Sequence, residues 1–186
     1  MELKDVLEQR RAVRDYTDAA VERPAIERLI HAAVLAPSAM NLQPWAFAVL
    51  SGRERIDRLA ERVKSWLLAN FSETLYGPSI RGMIEKPEYS LFHHAAALVL
   101  VLAKSSESQA LEDCCLAAEN FMLAARDQGI GTCWVGFARP WLNRPEIKRE
   151  LGVKEKYQVV APIVLGIPKA WPTSHGRNEP EIQWIG

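Results

Sequence analysis

The chain has 186 residues, with 23 Lys plus Arg against 23 Asp plus Glu and a formal net charge of zero. That length suits one domain with a sizeable core, and the even balance argues against nucleic acid, an anionic membrane surface or a polyanionic partner. The opening MELKDVLEQRR is too charged for a signal peptide, no apolar run approaches a membrane span, and three cysteines without a CxxC suit neither a disulfide framework nor a zinc site, so a cytoplasmic domain over residues 1–186 is expected.

Leu3 to Arg10 reads as a short helix with Leu3, Val6 and Leu7 on one side. Pro24 opens a second, where a missing N–H costs nothing, and Ile26, Leu29, Ile30 and Ala33 supply its buried face. The loop APSAMNLQP leads into a strand at Trp45 to Leu50, and Ile56, Leu59, Ala60 and Val63 mark another helix. Phe71 to Ser90 is the least periodic stretch, and a lid is expected over about 70–92. Ala95 to Ala103 is continuously apolar, as a buried strand should be. From Leu111 to Ala125 apolar residues form so wide a stripe that a helix buried on most sides is expected. Strands near Thr132 to Phe137 and Gln158 to Gly166 enclose a helix from Pro145 to Leu151, and an arm runs over about 168–186. Helices and strands mix without strict alternation, which predicts an α+β or mixed α/β/α sandwich.

Two stretches invite a ligand. GIGTCWVGF, residues 129–137, is rich in glycine but is neither a dinucleotide nor a phosphate loop: Trp134 stands where GxGxxG needs its third glycine, and no Lys follows Gly136. It also runs from helix into strand, the reverse of both motifs. Gly129 is better read as a helix stop. Gly136 would let a flat group approach the backbone closely, with a strand edge or bulge as the plainer alternative. The basic cluster RRAVR holds Arg10, Arg11 and Arg14, whose guanidinium forks suit a phosphate. A solvated edge paired with Glu8, Asp15 and Asp18 is the competing reading. Arg177 lies apart in the C-terminal arm. APSAMNLQPW combines small residues with Ser38, Asn41 and Gln43, and a turn capped by Ser38 explains the same residues.

Taken in order, RRAVR, APSAMNLQPW, the buried helix leading into GIGTCWVGF, and the C-terminal arginine resemble the FMN-dependent nitroreductase family over nearly the whole chain. The resemblance implies a nitroreductase-like fold, with a mainly antiparallel central sheet flanked by helices, and an intertwined homodimer with FMN at the subunit interface. By similarity Arg10, Arg11 and Arg177 would hold the phosphate, and Arg14 would reach the ribityl chain or the pyrimidine edge. Ala12 stands where the family usually has serine, so its backbone N–H would serve in place of a hydroxyl. Pro37, Ser38, Ala39 and Asn41 would cover the isoalloxazine from the partner subunit. Cys133, Trp134, Val135 and Gly136 would line the other face, with the N–H groups of Val135 and Gly136 directed at flavin N5.

The implied activity is that of an NAD(P)H-dependent flavoprotein oxidoreductase. NADH or NADPH would deliver a hydride to N5 and leave, and a nitroaromatic, quinone or similar small acceptor would then use the same face, giving ping-pong kinetics. No side chain need act as an essential acid or base, although Arg14 is placed to stabilise charge near N1 and O2. Alternatives are a non-catalytic FMN-binding or sensing module, or a dehalogenase or flavin-fragmenting enzyme on the same scaffold. Cys133 has an apolar setting that suits packing rather than nucleophilic attack, and His93 and His94 suit the end of a strand better than a metal. Trp66, Phe71, Tyr76 and Tyr89 border the lid and suit either stacking on a substrate or core and interface packing.

Overall fold

The structure, a computed structural model, describes residues 1–72, 77–173 and 175–186. Its frame is a four-stranded sheet in the order β1 (Trp45–Ser51), β2 (Ala97–Ala103), β4 (Gln158–Gly166) and β3 (Gly131–Trp134). Every neighbouring pair is antiparallel, with Trp45 opposite Ala103, Val99 opposite Ile163 and Gly131 opposite Gly166.

The alternation of β2 explains the layers. Leu98, Leu100 and Leu102 pack into one core with Ile56, Leu59 and Val63 of α3 (Arg53–Ala69). Val99 and Val101 face a second core with Ile26 and Leu29 of α2 (Arg23–Ala33) and Phe121 of α5 (Ser108–Asp127). Helices cover both faces, so β2 is buried along its whole length, as an uninterrupted apolar strand should be. Three short helices, α4 (Pro78–Glu85), α6 (Arg139–Leu142) and α7 (Pro145–Glu150), join the α3 side. The α/β/α sandwich and antiparallel sheet expected from sequence are thus present.

Several local readings shift. Helix α1 (Leu3–Gln9) buries only Val6; Leu3 and Leu7 are exposed. Helix α5 is buried on one face, through Cys114, Ala117, Ala118 and Phe121, while Cys115 and Leu116 face outward. The supposedly aperiodic lid contains α4, with Gly77 as N-cap and Pro78 in the first turn, where proline is well tolerated. Its chain is fastened to α3: the buried Lys64 ammonium donates to the carbonyls of Lys86 and Tyr89 at 2.7 and 2.9 Å. Tyr76, named above with the lid aromatics, lies outside the described residues.

Candidate functional site

The two ligand-inviting stretches are neighbours in space. Ala12 pairs with Thr132 in parallel, and the Val13 N–H donates to the Thr132 carbonyl at 2.9 Å. Further on, Thr17 donates to Ile167 at 2.8 Å, so RRAVRDYT lies along the β3 side of the sheet. Gly131 makes this possible, because a Cβ there would lie 2.8 Å from both Val13 Cγ2 and Pro168 Cγ. Gly129, with φ of +73°, ends α5 in the left-handed region as expected of a helix stop.

Beyond β3 opens a cleft of about 730 Å³. Its floor is Cys133, Trp134, Val135 and Gly136, and Arg14 reaches it from the N-terminal segment. Ile80 and Met83 of α4 form an apolar wall, and Tyr89 and His93 complete it. A Cβ on Gly136 would meet nothing within 4 Å, which leaves the backbone bare to the cleft. The Val135 N–H is already committed to the Pro162 carbonyl at 2.8 Å. Gly136 instead begins a 3-10 turn, Gly136–Ala138, where N–H groups have no intrahelical acceptor. Of the two donors expected from sequence, Gly136 is therefore the one at liberty to meet a ligand.

The electrostatics of this cleft follow from burial. The Cys133 thiol is held above its usual range by desolvation, with Arg14 opposing, so it is a poor thiolate at neutral pH. His93 is pushed down to about 4 by desolvation, then by the charges of Arg14 and His94, and stands neutral at pH 7. Its ring meets Tyr89 edge-on at 6.1 Å. His93 and His94 both have left-handed φ, +55° and +53°, a conformation uncommon outside glycine. His94 turns away and bonds Asp57 at 2.9 Å.

A second cleft of about 710 Å³ gathers Arg11, Arg126 and Arg177 beside Trp171. The Nε atoms of Arg11 and Arg126 are buried without a hydrogen-bond partner among the described residues. Arg10 points elsewhere and pairs with Glu119 of α5 at 3.2 Å. Of the three arginines expected together from sequence, the structure joins Arg11 and Arg177 and adds Arg126. Arg11 and Arg14 are three residues apart, roughly 10 Å at a strand-like rise, so one segment serves both clefts.

Pro37, Ser38, Ala39 and Asn41 are not brought to either cleft within one chain. They precede β1, at the sheet edge opposite β3, about 14 Å away by three strand spacings. The Ala39 N–H is held by the buried Asp113 carboxylate at 3.2 and 3.3 Å, and the Ser38 hydroxyl accepts from the Gln43 N–H at 3.0 Å. Met40, Asn41 and Gln43 have φ of +51°, +54° and +47°, and the neighbouring Leu35, Met40 and Leu42 are exposed. Of the lid aromatics, Tyr89 lines the first cleft. Trp66 lies in another hollow beneath Arg144, and Phe71 beneath Arg81.

Sequence reasoning missed Arg126, Trp171 and His93 as lining residues. Arg126 sits in the last turn of α5, where a basic residue ordinarily serves the helix dipole, and nothing local separates the two roles.

An antiparallel sheet between helical layers, with both clefts at its β3 side, is the nitroreductase-type α/β fold. Residues 7–167 match the family model described as "Nitroreductase family", and the chain belongs to that family of oxidoreductases. A protein of Archaeoglobus fulgidus assigned as an NADH dehydrogenase/NAD(P)H nitroreductase is 34% identical over 165 residues, covering 86% of this chain and 82% of its own. An iodotyrosine deiodinase of Thermotoga neapolitana is 26% identical over 199 residues, covering 98% of this chain and 97% of its own. Among solved structures, a Bacteroides fragilis nitroreductase with bound FMN superposes with a TM-score of 0.84 at 26% identity, covering both chains fully. Among the described residues, no helix is long and apolar enough to cross a membrane.

Proposed function

We propose that the chain is an FMN-dependent NAD(P)H oxidoreductase that reduces nitroaromatic, quinone or similar small acceptors by a ping-pong mechanism. One observation carries the reading: a single N-terminal segment presents Arg11 to an arginine-rich cleft and Arg14 to a bare-backbone cleft beside it. The residues fit FMN. Three guanidinium groups lining one cleft suit an anion, and the open Gly136 backbone suits a flat ring. Arg11 and Arg177 would hold the phosphate, while Ala12 offers backbone only.

FMN, when bound, supplies hydride exchange at N5. The protein positions and shields it. Arg14 places positive charge at the edge of the ring cleft and favours negative charge developing there. The Gly136 N–H faces the ring as a donor. Ile80 and Met83 keep one wall apolar and exclude water, which strengthens both interactions. A single cleft of this size admits the nicotinamide donor, NADH or NADPH, and the acceptor in turn. Ping-pong kinetics follow.

The reading includes a homodimer with FMN at its interface. Pro37, Ser38, Ala39 and Asn41 can reach a ring only from a second copy, and the exposed Leu35, Met40 and Leu42 around them suit burial against one. A cytoplasmic location agrees with three free cysteines.

The test is spectroscopic and kinetic. The protein reconstituted with FMN should show bound-flavin absorbance, bleach on NADH or NADPH, and give parallel double-reciprocal lines with a nitroaromatic acceptor. Bound flavin that no nicotinamide reduces would leave a binding module instead. The deiodinase relative supports a second reading, reductive dehalogenation; release of iodide from 3-iodotyrosine without nitro reduction would establish it.

A further inference from the structure

Arg126 is unexplained by the function so far. Its guanidinium carbon sits over the Trp171 ring, 3.7 Å from the centroid, and one Nη donates to the neutral Gln9 side chain at 2.6 Å. Its Nε is buried without a partner, like that of Arg11 in the same cleft. Among the described residues neither these two nor Arg177 forms an ion pair with a carboxylate, in contrast to Arg10 with Glu119. Glu8 also borders the cleft, but its ion-pair partner is Lys4, at 3.9 Å. Three guanidinium groups lining one cleft repel unless an anion joins them.

We propose that Arg126 is a third phosphate-holding residue, clamped in place by Trp171, and that it makes this chain select a phosphorylated flavin over riboflavin. The inference rests on the flavin reading above. Contact with the Trp171 ring and the bond to Gln9 restrict the guanidinium, so little rotamer entropy is lost when the phosphate arrives. Trp171 also opens the C-terminal arm, which returns Gly176 and Arg177 to the same cleft. The arm and the end of α5 thereby close on the phosphate from two sides. Riboflavin carries the same ring and ribityl chain but no phosphate, and gains nothing from Arg126.

The experiment measures equilibrium binding of FMN and of riboflavin to apoprotein by flavin fluorescence, for the wild type and Arg126→Gln. FMN affinity should fall roughly tenfold, the scale of one lost charge-assisted hydrogen bond, with riboflavin affinity changed less than about twofold. Unchanged FMN affinity would overturn the assignment. An equal loss for both flavins would also overturn it, since that is the signature of a merely structural arginine. Should R126Q fail to fold, Arg126→Met keeps an apolar stem against Trp171 and is judged by the same ratio. A wild type that binds neither flavin would sink the flavin reading itself, an outcome distinct from normal FMN binding left intact in R126Q.

Discussion

The backbone N–H of Val13 donates to the carbonyl of Thr132 at 2.9 Å, and the side chain of Val13 fills the space beside Gly131. This one pairing brings the basic N-terminal segment alongside β3. It places Arg14 over the first cleft and Arg11 in the second. Two glycines near the pairing therefore have opposite duties. Gly131 keeps the segments in contact, whereas Gly136 leaves a surface bare.

Gly131→Ala and Gly136→Ala should separate stability from binding. A Cβ at Gly131 falls 2.9 Å from Val13 Cβ, so something must shift, and overpacking of this kind costs about 1–3 kcal/mol. A Cβ at Gly136 meets nothing, so unfolding should move by less than about 0.5 kcal/mol while FMN affinity drops. Urea melts and flavin titrations check the pair; a fully stable G131A would refute the close-approach argument.

Arg10 and Arg11 should behave differently despite being adjacent. Arg11→Ala removes a cleft guanidinium and should weaken FMN roughly tenfold. Arg10→Ala breaks a half-exposed pair with Glu119, worth about 0–1 kcal/mol of stability, and should leave FMN affinity nearly unchanged. Isothermal titration of both variants reads the difference. Equal losses would restore Arg10 to the phosphate site.

His93 should give the apoprotein a pH-dependent stability above the carboxylate range. Its folded pKa, about 4, lies below the ordinary histidine value of 6.5, so between these values the unfolded chain binds the extra proton. Stability is complete above about pH 6.5 and declines as pH falls toward 4, by on the order of 1 kcal/mol once residual solvent contact is discounted. The paired carboxylates Glu146 and Glu150 are shifted downward and act at lower pH, so the difference between wild type and variant in melts at about pH 5 to 7 reads this histidine's share. His93→Gln should flatten that slope. A slope unchanged in H93Q would assign it to another group.

Met40→Glu should dissociate the proposed dimer. Met40 is 91% exposed in one chain and touches no cleft there, so its fold should tolerate the charge. Light scattering should show a monomer at micromolar concentration, with flavin lost in parallel because Ser38, Ala39 and Asn41 leave the ring together. A variant that stays dimeric and holds flavin would place the interface elsewhere.

Much of the frame was legible because it depends on local pattern. The apolar run of β2 and the turn of α5 into β3 at Gly129 rest on periodicity and on a left-handed residue, both written within a few positions. The helix inside the 70–92 segment is not legible because Gly77, Pro78 and Gly82 are breakers in most contexts, yet the first two begin a helix here. The apolar stripe of α5 predicts burial on most sides, but Cys115 and Leu116 lie on an outer face that its residue types alone do not reveal.

The site divides along the same line. The residue types needed for a phosphate and a flat ring stand in the sequence as RRAVR and GTCWVG, and in order with APSAMNLQPW and the C-terminal arginine they carry the family resemblance. Which arginines share a cleft is a tertiary matter, because Arg126 and Arg11 are separated by more than half the chain and meet only when α5 packs beside the N-terminal segment. The same holds for the amides of Val135 and Gly136. They look alike in sequence, and only the pairing with β4 commits the first to Pro162 and leaves the second open, since a hydrogen bond depends on the direction of a neighbouring carbonyl that no local pattern encodes.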